Sequence, residues 1–407
     1  MGLILGAIAL LSLMIWIGLV CWRGQFWRCD QRLDLVAFDQ TALDQISQGS
    51  LRPYPAVCAI IPARDEAELL PTALKSLLQQ TYAGQFSIVV VNDNSTDGTG
   101  EIAENLAQSQ EYLHPLTVIH STALPPGWSG KLWAIHQGIE FVQQSGQLSV
   151  QPDYFLLTDA DINHHPENLL QLVTKAESEH LNLVSLMVLL RCQSIWEKLL
   201  IPTFVFFFQK LYPFPWVNHP QTKTAAAAGG CILIRRQTLA EIGGISSVKH
   251  ALIDDCALAQ AVKSRAQVSG IYLGLTQLTG SLRPYRDLQS IWDMVARTAF
   301  TQLNYSGLLL LGTLIAMGVV YLVPPISFLG GILTKNWTIS LVSGLAWGLM
   351  SFAYWPTLKL YRCSPLLSCS LPLIALLYSL MTLDSAWRYW QGKGGSWKGR
   401  TYESSKT

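Results

Sequence analysis

The chain has 407 residues, of which 50% are hydrophobic and only 14% are charged, and its formal net charge is +1. Such a composition is atypical of a soluble protein and indicates membrane-spanning segments. The near-neutral charge includes no basic stripe for a phosphate backbone, so a nucleic-acid partner is excluded. The eight cysteines are scattered without a Cys-x-x-Cys pair, so neither a zinc site nor a disulfide framework is predicted.

A membrane-spanning helix is predicted over residues 1–23, the first element of the chain. The run from Gly2 to Trp22 is almost unbroken in apolar residues, and at roughly 20 residues it can cross the hydrocarbon core of a bilayer. Arg23, Arg28 and Arg32 follow it, and the positive-inside rule then places the next part of the chain in the cytoplasm. A signal peptide is the alternative, but its positive charge would precede a shorter apolar region.

From Val57 onward the sequence has the pattern of a globular α/β domain. Short apolar runs alternate with helical periodicity, which predicts a parallel sheet covered by helices. The predicted elements of the first half are a strand at Val57 to Ile61, a helix at Ala67 to Gln80, a strand at Phe86 to Val91, a helix at Gly98 to Ala107, a strand at Leu116 to Ile119, a helix at Leu132 to Gln143 and a strand that ends at Asp159. A further buried strand is predicted at Leu183 to Leu190.

The aromatic-rich segment at residues 194–217 is predicted to be helical. Polar and charged residues interrupt its apolar runs, so it is either an interfacial helix on the membrane or a helix of the domain core. Candidate spans follow at Leu308 to Val323, Ile339 to Trp355 and Leu366 to Met381. Three crossings would put the tail outside, whereas its basic residues favour the inside. Either one segment is re-entrant or interfacial, or the run from Leu308 to Trp355 crosses differently.

Two carboxylates one residue apart, Asp159 and Asp161, end the predicted strand that contains Leu156 and Leu157. Hard cations such as Mg²⁺ prefer oxygen ligands and usually share them with substrate phosphates. The pair therefore predicts a metal site for a phosphorylated substrate. A strand-ending turn, in which an Asp side chain bonds to its own backbone, is the alternative explanation.

Two further acidic clusters fall at comparable points of the predicted domain. One is the stretch from Asn92 to Thr99, which follows a strand, and the other is Asp254-Asp255, which opens a predicted helix. Open α/β sheets bind ligands at the carboxyl ends of their strands, so we expect the three acidic clusters to lie together. Taken separately, the first would serve as a helix cap and the last would complement a helix dipole.

The ordered set of motifs resembles the family 2 glycosyltransferases of the GT-A fold. The motifs are Ile61-Pro62-Ala63-Arg64-Asp65-Glu66, Val91-Asn92-Asp93-Asn94-Ser95-Thr96-Asp97-Gly98-Thr99, Thr158-Asp159-Ala160-Asp161 and Asp254-Asp255. The flanking membrane pattern, with Tyr285 to Ser306 and Ser396 to Tyr402, resembles the hopene-associated branch of that family. The resemblance implies an α/β fold, namely a GT-A (Rossmann-like, nucleotide-diphospho-sugar transferase) catalytic domain with flanking transmembrane helices.

The resemblance assigns the first motifs to the nucleotide of a nucleotide-sugar donor. It implies that Asp93 contacts the base or the ribose. It also implies that Pro62, Arg64 and Glu66 lie around the same nucleotide pocket.

The same resemblance assigns the Asp-x-Asp motif to the ribose and to a metal-bound diphosphate. It implies that Asp159 and Asp161 bind Mg²⁺ or Mn²⁺, with Asp161 as the principal metal ligand. A bridging cation would stabilise the charge that develops on the leaving nucleoside diphosphate. Lys131 either adds a positive charge to this pocket or is an ordinary surface lysine.

Sugar transfer to a hydroxyl needs a group that removes the acceptor proton as the bond forms. Asp255 matches the second acid of the family's Glu-Asp pair, so the resemblance implies that it is the base of an inverting, direct displacement. Asp254 stands where Glu is more usual, and its side chain is shorter.

A cation for the diphosphate is expected in the segment after the base. The nearest match to the family's Gln-x-x-Arg-Trp motif is Met294-Val295-Ala296-Arg297-Thr298, which makes Arg297 a candidate. Gln and Trp are both absent from it, which argues against a long-chain polymer synthase. Arg283 and Arg286 are rival candidates for the same contact.

These observations predict a multi-pass enzyme of the cytoplasmic (inner) membrane that transfers a sugar from a nucleotide-diphosphate sugar to a lipid hydroxyl, with a hopanoid or another isoprenoid as the implied acceptor. Membrane spans on both sides of the domain motivate the lipid. One alternative is a nucleotidyltransferase of related fold, but the Gly-rich loop of such enzymes is absent from Ile60 to Arg64. Another is a non-catalytic nucleotide-sugar-binding component of membrane assembly or transport, against which the intact set of acids argues.

The predicted domain organisation has five parts along the chain. They are a transmembrane helix at 1–23, a juxtamembrane linker at 24–54, the catalytic domain at 55–300, a transmembrane region at 301–388 and a basic cytoplasmic tail at 389–407.

Overall fold

The computed structural model describes residues 2–35, 54–109, 111–144, 150–265, 270–392, 396–397 and 400–401. Most of the predicted linker and most of the predicted tail lie outside these residues. The strands of the main sheet are β1 (Val57–Ala63), β2 (Phe86–Asn92), β3 (Leu116–His120), β4 (Tyr154–Thr158), β5 (Ile162–Asn163), β6 (Leu183–Leu189), β7 (Cys231–Arg235) and β8 (Ile271–Ser281). A second, two-stranded pairing joins β9 (Ser396–Trp397) to β10 (Arg400–Thr401).

Helices precede, cover and follow the main sheet. They are α1 (Gly2–Trp22), α2 (Leu70–Leu78), α3 (Thr99–Ala107), α4 (Gly130–Gln144), α5 (Asn168–Ser178), α6 (Ile195–Leu211), α7 (Phe214–Asn218), α8 (Arg236–Glu241), α9 (Asp254–Arg265), α10 (Leu288–Ala296), α11 (Gly307–Met317), α12 (Val323–Leu333), α13 (Trp337–Leu360) and α14 (Leu371–Trp390). A π-helical turn, Gly318–Leu322, joins α11 to α12, and a 3₁₀ helix, Pro365–Ser370, leads into α14.

The main sheet is mixed, in the order β3-β2-β1-β4-β7-β6-β8-β5. β1 pairs in parallel with β2 and β4, and β2 pairs in parallel with β3. β7 is antiparallel to both β4 and β6, and β5 is antiparallel to β8. The predicted parallel pairing is therefore confirmed for β1 to β4, and β6 also pairs in parallel with β8. The sheet departs from a parallel arrangement at β7, because a strand buried on both faces has the same apolar pattern in either direction. The parallel strands bring the carboxyl ends of β2 and β4 to one edge.

Alternate residues of the central strands face two separate cores, as expected from the two-residue repeat of a strand. Ile60 and Leu157 face the core that includes α4 and α6, whereas Ile61 and Leu156 face the core that includes α2 and α5. On the first face, a Cβ at Gly138 of α4 would lie 2.7 Å from Ile60 Cγ2. Glycine there lets α4, which begins beside Lys131, lie directly against the sheet.

The α6 helix is buried between the sheet and the C-terminal helices. Leu200 and Phe206 are fully buried, the Tyr378 hydroxyl of α14 donates to Leu200 O at 2.9 Å, and Thr203 Oγ1 lies 2.7 Å from Tyr354 Oη of α13. Of the two predictions for residues 194–217, this burial favours the core helix. The interrupted apolar runs occur because α6 contacts polar groups of the domain as well as apolar helices.

Three helical segments are long and apolar enough to cross a membrane among the residues that the structure describes, namely Ile4–Trp22, Gly307–Leu333 and Pro365–Trp390. The predicted span from Leu308 to Val323 is thus part of a longer helix that runs through the π-helical turn. The predicted span from Ile339 to Trp355 lies within α13, which is 24 residues long but falls outside these three segments.

The side-chain contacts of α13 show how these helices run. Near its start, a Cβ at Gly6 of α1 would lie 3.8 Å from Ile339 Cγ1. Near its end, Leu360 O accepts a 2.6 Å hydrogen bond from Gln277 Nε2 of β8. α13 therefore runs in the same direction as α1 and ends beside the sheet domain.

The segment after α13 turns back along it. Trp347 Nε1, in the middle of α13, donates to Cys369 O at 3.2 Å. At the other end of α14, Arg388 Nη1 lies 2.7 Å from Asp293 Oδ1 of α10, and Trp292 Nε1 donates to Asp384 Oδ2 at 2.7 Å. α14 thus begins against the middle of α13 and ends against the sheet domain.

Candidate active site

The Asp-x-Asp motif leaves β4 at the strand edge, and each of its carboxylates contacts a cationic side chain. Lys131 Nζ lies 2.6 Å from Asp159 Oδ1. Arg283 Nε lies 2.9 Å from Asp161 Oδ2, which also accepts a 3.2 Å hydrogen bond from Ser281 Oγ. Burial and the neighbouring Asp159 raise the pKa of Asp161, and Arg283 opposes this shift.

A buried hydrogen-bond chain holds the strand residue before this motif. Thr158 Oγ1 donates to Gly230 O at 2.8 Å and lies 2.9 Å from His164 Nε2. Asn168 Nδ2 lies 3.0 Å from His164 Nδ1, and burial lowers the pKa of His164 to about 3. Because Thr158 uses its proton on Gly230, the neutral ring must donate from Nε2 and accept at Nδ1. These hydrogen bonds therefore fix the carboxyl end of β4, next to the Asp-x-Asp motif.

The loops after β1 and β2 are joined by hydrogen bonds next to the motif. Arg64 Nη1 donates to Asp93 O at 2.7 Å and lies 3.7 Å from Asp93 Oδ2. Asp65 N donates to Ser95 Oγ at 3.1 Å, and Thr96 N donates to Asp65 Oδ1 at 2.9 Å. The sequence-predicted residues Arg64 and Asp93 are thus brought together, and Pro62 lies in β1 immediately before this loop.

Arg283 connects these loops to the Asp-x-Asp motif. Its guanidinium pairs with Asp161 through Nε and with Glu66 through Nη2. Glu66 N in turn donates to Thr99 Oγ1 at the start of α3, at 2.8 Å. Glu66 was predicted at the nucleotide pocket, and the structure places its carboxylate on Arg283.

The Asp254-Asp255 pair opens α9, and backbone groups orient Asp255. Gly229 N donates to Asp255 Oδ2 at 2.9 Å, and Cys256 N donates to Asp255 Oδ1 at 2.7 Å. Burial and the adjacent Asp254 raise the pKa of Asp255 to about 6, whereas Lys131 and the two backbone N–H groups oppose the shift. Asp255 is therefore a partly buried carboxylate that can take up a proton near neutral pH.

Lys131 lies between the two acidic motifs. Its Nζ contacts Asp159 and is 3.9 Å from Asp254 Oδ2, and its side chain is 20% exposed. Burial alone would lower the pKa of Lys131, but Asp159 and Asp254 raise it above its ordinary value. The alternative of an ordinary surface lysine is therefore wrong, because the side chain is enclosed by the acids of both motifs.

A small, partly open cleft lies between these groups. Its lining combines four charged residues, Lys131, Asp159, Asp254 and Asp255, with apolar and small residues of the surrounding elements: Leu132, Ile135, Leu157, Thr158, Gly229, Ile232, Ile245, Val248 and Leu258. Gly229 was not predicted as a site residue. A Cβ there would lie 3.2 Å from Lys131 Nζ and 3.4 Å from Asp255 Oδ2, and the Gly229-Gly230 pair before β7 was its signal in the sequence.

The three arginine candidates differ in position. Arg283 contacts two acids of the site, as described above. Arg286 lies 3.9 Å from Glu68, and both side chains are 78% exposed. Arg297 is exposed at the carboxyl end of α10. Only Arg283, among these three and within the described residues, has an ion pair with a predicted site residue.

A divalent cation at the Asp-x-Asp motif would need oxygens from substrate or water in addition to the two carboxylates. Among the residues with described positions, no group of three or more His, Cys, Asp or Glu side chains could hold a metal ion. Lys131 contacts Oδ1 of Asp159 and Arg283 contacts Oδ2 of Asp161, so each carboxylate has a second oxygen outside these ion pairs. One or two carboxylates completed by phosphate oxygens are a usual arrangement for Mg²⁺.

Comparison with known proteins identifies the domain that carries this cleft. Residues 58–243 match the family model described as "Glycosyl transferase family 2". These residues belong to glycosyl transferase family 2. The matched range includes β1 through β7 and the Asp-x-Asp motif, whereas Asp254 and Asp255 lie beyond it.

Two curated relatives have glycosyltransferase names. The chain is 28% identical over 113 residues to "Probable glycosyltransferase YdaM" of Bacillus subtilis, which covers 28% of this chain and 24% of that protein. It is 27% identical over 142 residues to "4,4'-diaponeurosporenoate glycosyltransferase" of Staphylococcus haemolyticus, which covers 35% of this chain and 32% of that protein. The chain therefore spans between a quarter and a third of the length of these relatives.

A solved structure supports the GT-A fold. The mannosyltransferase PcManGT of Pyrobaculum calidifontis, in complex with GDP-Man and Mn²⁺, is similar over 95% of this chain and 99% of that chain. The TM-score is 0.52 and the sequence identity is 16%. At this identity the similarity concerns the fold, and it extends to the helices that flank the glycosyltransferase domain.

Proposed function

We propose that the protein is an inverting glycosyltransferase that moves a sugar from a nucleotide-diphosphate donor to a lipid hydroxyl at the cytoplasmic face of the inner membrane. The observation that carries this proposal is the position of Lys131. Its ammonium contacts Asp159 of the Asp-x-Asp motif and approaches Asp254 beside Asp255. One cleft thus combines groups for a leaving diphosphate with a carboxylate for an incoming hydroxyl.

In the donor half, we assign the nucleotide to the joined loops after β1 and β2, with Pro62, Arg64 and Asp93 at the base and ribose. Asp159 and Asp161 then lie at the diphosphate. A bound Mg²⁺ or Mn²⁺ would stabilise the charge of the leaving diphosphate as the glycosidic bond breaks. Lys131 and Arg283 contribute positive charge at the same point and neutralise the two acids in the absence of donor.

In the acceptor half, Asp255 accepts the proton of the hydroxyl that attacks the anomeric carbon. Gly229 N and Cys256 N hold one oxygen each, and each oxygen retains a further acceptor position. The carboxylate is therefore oriented without being saturated. Direct attack from this side inverts the anomeric centre, and no covalent sugar intermediate forms.

A lipid acceptor is supported by the helices around the domain. Many side chains on α1, α11, α12, α13 and α14 are large, apolar and exposed, among them Leu11, Leu308, Leu329, Leu341 and Trp387. Such a surface is expected against lipid. The relative named for 4,4'-diaponeurosporenoate supports an isoprenoid acceptor, and a hopanoid is one member of that class.

We propose three membrane crossings and one re-entrant segment. α1, the continuous segment α11–α12, and α13 cross the bilayer, because α1 and α13 run in the same direction and the hairpin at residues 334–336 connects α12 to α13. The segment from Pro365 through α14 enters and leaves on the side of the sheet domain. This arrangement places the basic tail in the cytoplasm, in agreement with the positive-inside rule. α13 needs less apolar surface because α1 and α12 cover it.

The crossings can be tested with reporters of membrane side. A reporter inserted at Lys335 should be on the outside, whereas one attached after Gly392 should be in the cytoplasm. A reporter after Gly392 that is found outside would show that α14 crosses the bilayer and would overturn the re-entrant assignment.

The activity is tested with the full-length protein in lipid vesicles that contain total membrane lipids, with Mn²⁺ and a panel of nucleotide-sugars. We expect release of a nucleoside diphosphate and one new glycolipid in the mass spectrum of the lipid extract. Asp255→Asn in the same vesicles is the matched control. If the wild-type protein releases no nucleoside diphosphate from any donor, the glycosyltransferase proposal is wrong.

The same experiment separates two other functions. Release of pyrophosphate from a nucleoside triphosphate would indicate a nucleotidyltransferase. Binding of a nucleotide-sugar without turnover, across sterol, carotenoid, ceramide and hopanoid lipids, would indicate a non-catalytic component of membrane assembly or transport.

A further inference from the structure

A buried carboxylate outside the catalytic cleft connects α6 to the segment that carries Arg283. The side chain of Glu197 has 0% exposure. Its Oε2 accepts from Gln193 N and Ser194 N, each at 2.7 Å, and its Oε1 accepts from Tyr285 N at 2.8 Å. Arg191 Nη1 lies 3.2 Å from Oε1. A buried carboxylate is expensive unless it is fully hydrogen-bonded, and here one cation and three backbone donors satisfy it.

Glu197 is part of a capping box that reaches beyond its own helix. In a capping box, the first residue and the third helical residue satisfy each other's backbone N–H groups. Ser194 and Glu197 do so at the start of α6, but they also bind both backbone groups of Tyr285. Ser194 Oγ donates to Tyr285 O at 3.1 Å, while Glu197 accepts from Tyr285 N. Tyr285 is therefore fixed from both sides by one helix terminus.

Tyr285 lies two residues after Arg283, in the short connection between β8 and α10. The other end of this connection is held at the sheet, because Leu282 N donates to Asp161 O at 2.8 Å. The residues on both sides of Arg283, Leu282 and Tyr285, are thus held in place by hydrogen bonds. The Arg283 guanidinium reaches Asp161 and Glu66 from this position, which are the acids of the metal motif and of the nucleotide loop.

Burial opposes ionisation of Glu197, but the hydrogen bonds from Ser194, Tyr285 and Gln193 keep its pKa below the ordinary value. The group therefore stays ionised at neutral pH and accepts from all its donors. An amide at this position would have the same shape but only one acceptor oxygen, and its NH₂ group would face backbone N–H donors. Glu197→Gln thus removes the interaction with little change in volume.

We propose that Glu197 is a positioning residue of the donor site, which sets where Arg283 lies relative to Asp161 and to the diphosphate of the donor. The proposal rests on the proposed function, since it needs a nucleoside diphosphate at Asp161. Glu197 touches no substrate. It acts through the backbone of Tyr285 on the Arg283 guanidinium, which contributes a charge-assisted hydrogen bond to the diphosphate.

The test is a double-mutant cycle on nucleoside diphosphate affinity, measured by calorimetry on the full-length protein with Mn²⁺. The probe is whichever of UDP, GDP, ADP and CDP the wild-type protein binds most tightly. We expect Arg283→Ala and Glu197→Gln each to weaken binding about tenfold. We expect the double variant to bind no more weakly than Arg283→Ala alone, because Glu197 has no route to the ligand once the guanidinium is removed.

Glu177→Gln is the matched control. Like Glu197, Glu177 is a carboxylate that pairs with an arginine, in this case Arg235 at 2.9 Å, although its side chain is 34% exposed. It lies on α5 away from the cleft, so the diphosphate affinity of Glu177→Gln should equal that of the wild-type protein. Binding of the corresponding nucleoside monophosphate should change less than twofold in Glu197→Gln, since the second phosphate is missing.

Each outcome decides one proposal. Additive losses in the double variant, or equal losses for the monophosphate and the diphosphate, would show a general structural role and overturn the positioning role. Unchanged affinity in Glu197→Gln would do the same. If the wild-type protein binds no nucleoside diphosphate, the proposed function fails instead. Should Glu197→Gln fail to fold, Ser194→Ala replaces it in the cycle with the same expected non-additivity. That substitution removes the hydrogen bond to Tyr285 O and the side-chain cap on Glu197 N.

Discussion

The acids of the candidate active site are held in two different ways. Asp159 and Asp161 are bound by side chains, with Lys131 and Arg283 at 2.6 and 2.9 Å. Asp255 is bound by backbone N–H groups of Gly229 and Cys256. A cationic side chain can move when a ligand arrives, whereas a backbone N–H group of a strand entry or a helix terminus cannot. The first arrangement suits acids that exchange a protein cation for a ligand, and the second suits an acid with a fixed direction.

Asp161 and Asp255 also differ in how their charges are balanced by neighbouring groups. Desolvation and a neighbouring acid raise the pKa values of both Asp161 and Asp255. The pKa alone therefore does not assign their roles. The partners distinguish them, since of these two acids only Asp161 has a direct ion pair with a cationic side chain.

The largest expected effect tests Asp255 as the base. Asp255→Asn should reduce transfer about 10³-fold, because the amide cannot accept the proton of the acceptor hydroxyl. The rate of nucleoside diphosphate release in lipid vesicles measures it. Asp254→Glu, which introduces the residue more usual in the family, should retain most of the activity. Full transfer by Asp255→Asn would remove Asp255 from this role.

The same substitution should reduce the pH dependence of stability. The pKa of Asp255 is higher in the folded protein, at about 6, than its ordinary value of 3.8. The folded state therefore binds more protons between these values, and stability falls as the pH rises through this window. The thermal midpoint of the wild-type protein should therefore fall as the pH rises from about 4 to about 7. The fall should be smaller in Asp255→Asn, because the amide does not titrate, and an equal fall in both proteins would assign the titration to another group.

The second effect tests the exchange of partners at Asp161. Asp161→Asn should reduce transfer about 10²-fold and should weaken the dependence on Mn²⁺ concentration, because a ligand of the cation is lost. Titration of Mn²⁺ against the rate of diphosphate release measures both. Asn keeps the shape of the side chain, so the fold should be preserved. An unchanged Mn²⁺ dependence would contradict the metal assignment.

The third effect concerns pH. Asp255 must be ionised to accept a proton, so kcat/KM should rise about tenfold per pH unit below pH 6 and level off above it. Burial and Asp254 raise the pKa of Asp255 to this value, against the opposing effects of Lys131 and the two backbone donors. Asp254→Asn removes the negative charge that raises the pKa of Asp255, so the midpoint of the kcat/KM profile should move to lower pH. A midpoint that does not respond to Asp254 would assign the titration to another group.

Much of the donor half could be predicted from the sequence. The acids at the ends of β2 and β4 follow buried runs, and the carboxyl ends of parallel strands share one edge. What could not be predicted were contacts between distant segments. Arg283 could not be preferred over Arg286 or Arg297 from spacing, because the choice depends on how β8 ends beside β5. From the sequence, Glu197 is only one of the charged residues that interrupt the apolar runs of α6.

The membrane region was harder for a related physical reason. Span prediction uses the average apolarity of a segment, but α13 is covered by α1 and α12 and α14 starts at the middle of α13. The number of apolar segments therefore does not give the number of crossings. The direction of β7 was hidden in the same way, since burial on both faces removes the pattern that would report it.

The smallest expected effect tests the difference between Arg283, which pairs with acids of the site, and Arg286, which is exposed. Arg286→Ala should change nucleoside diphosphate affinity less than twofold, because its side chain is 78% exposed and lies 3.9 Å from an equally exposed Glu68. An ion pair of this kind contributes little. Calorimetry with the same diphosphate used for Arg283→Ala measures this change in affinity.

A loss of affinity as large as that of Arg283→Ala would mean that the connection between β8 and α10 moves on donor binding and brings Arg286 into the site. The fixed position of Tyr285 on Glu197 argues against such a movement, so the two arginines, three residues apart, should differ about tenfold in their effect.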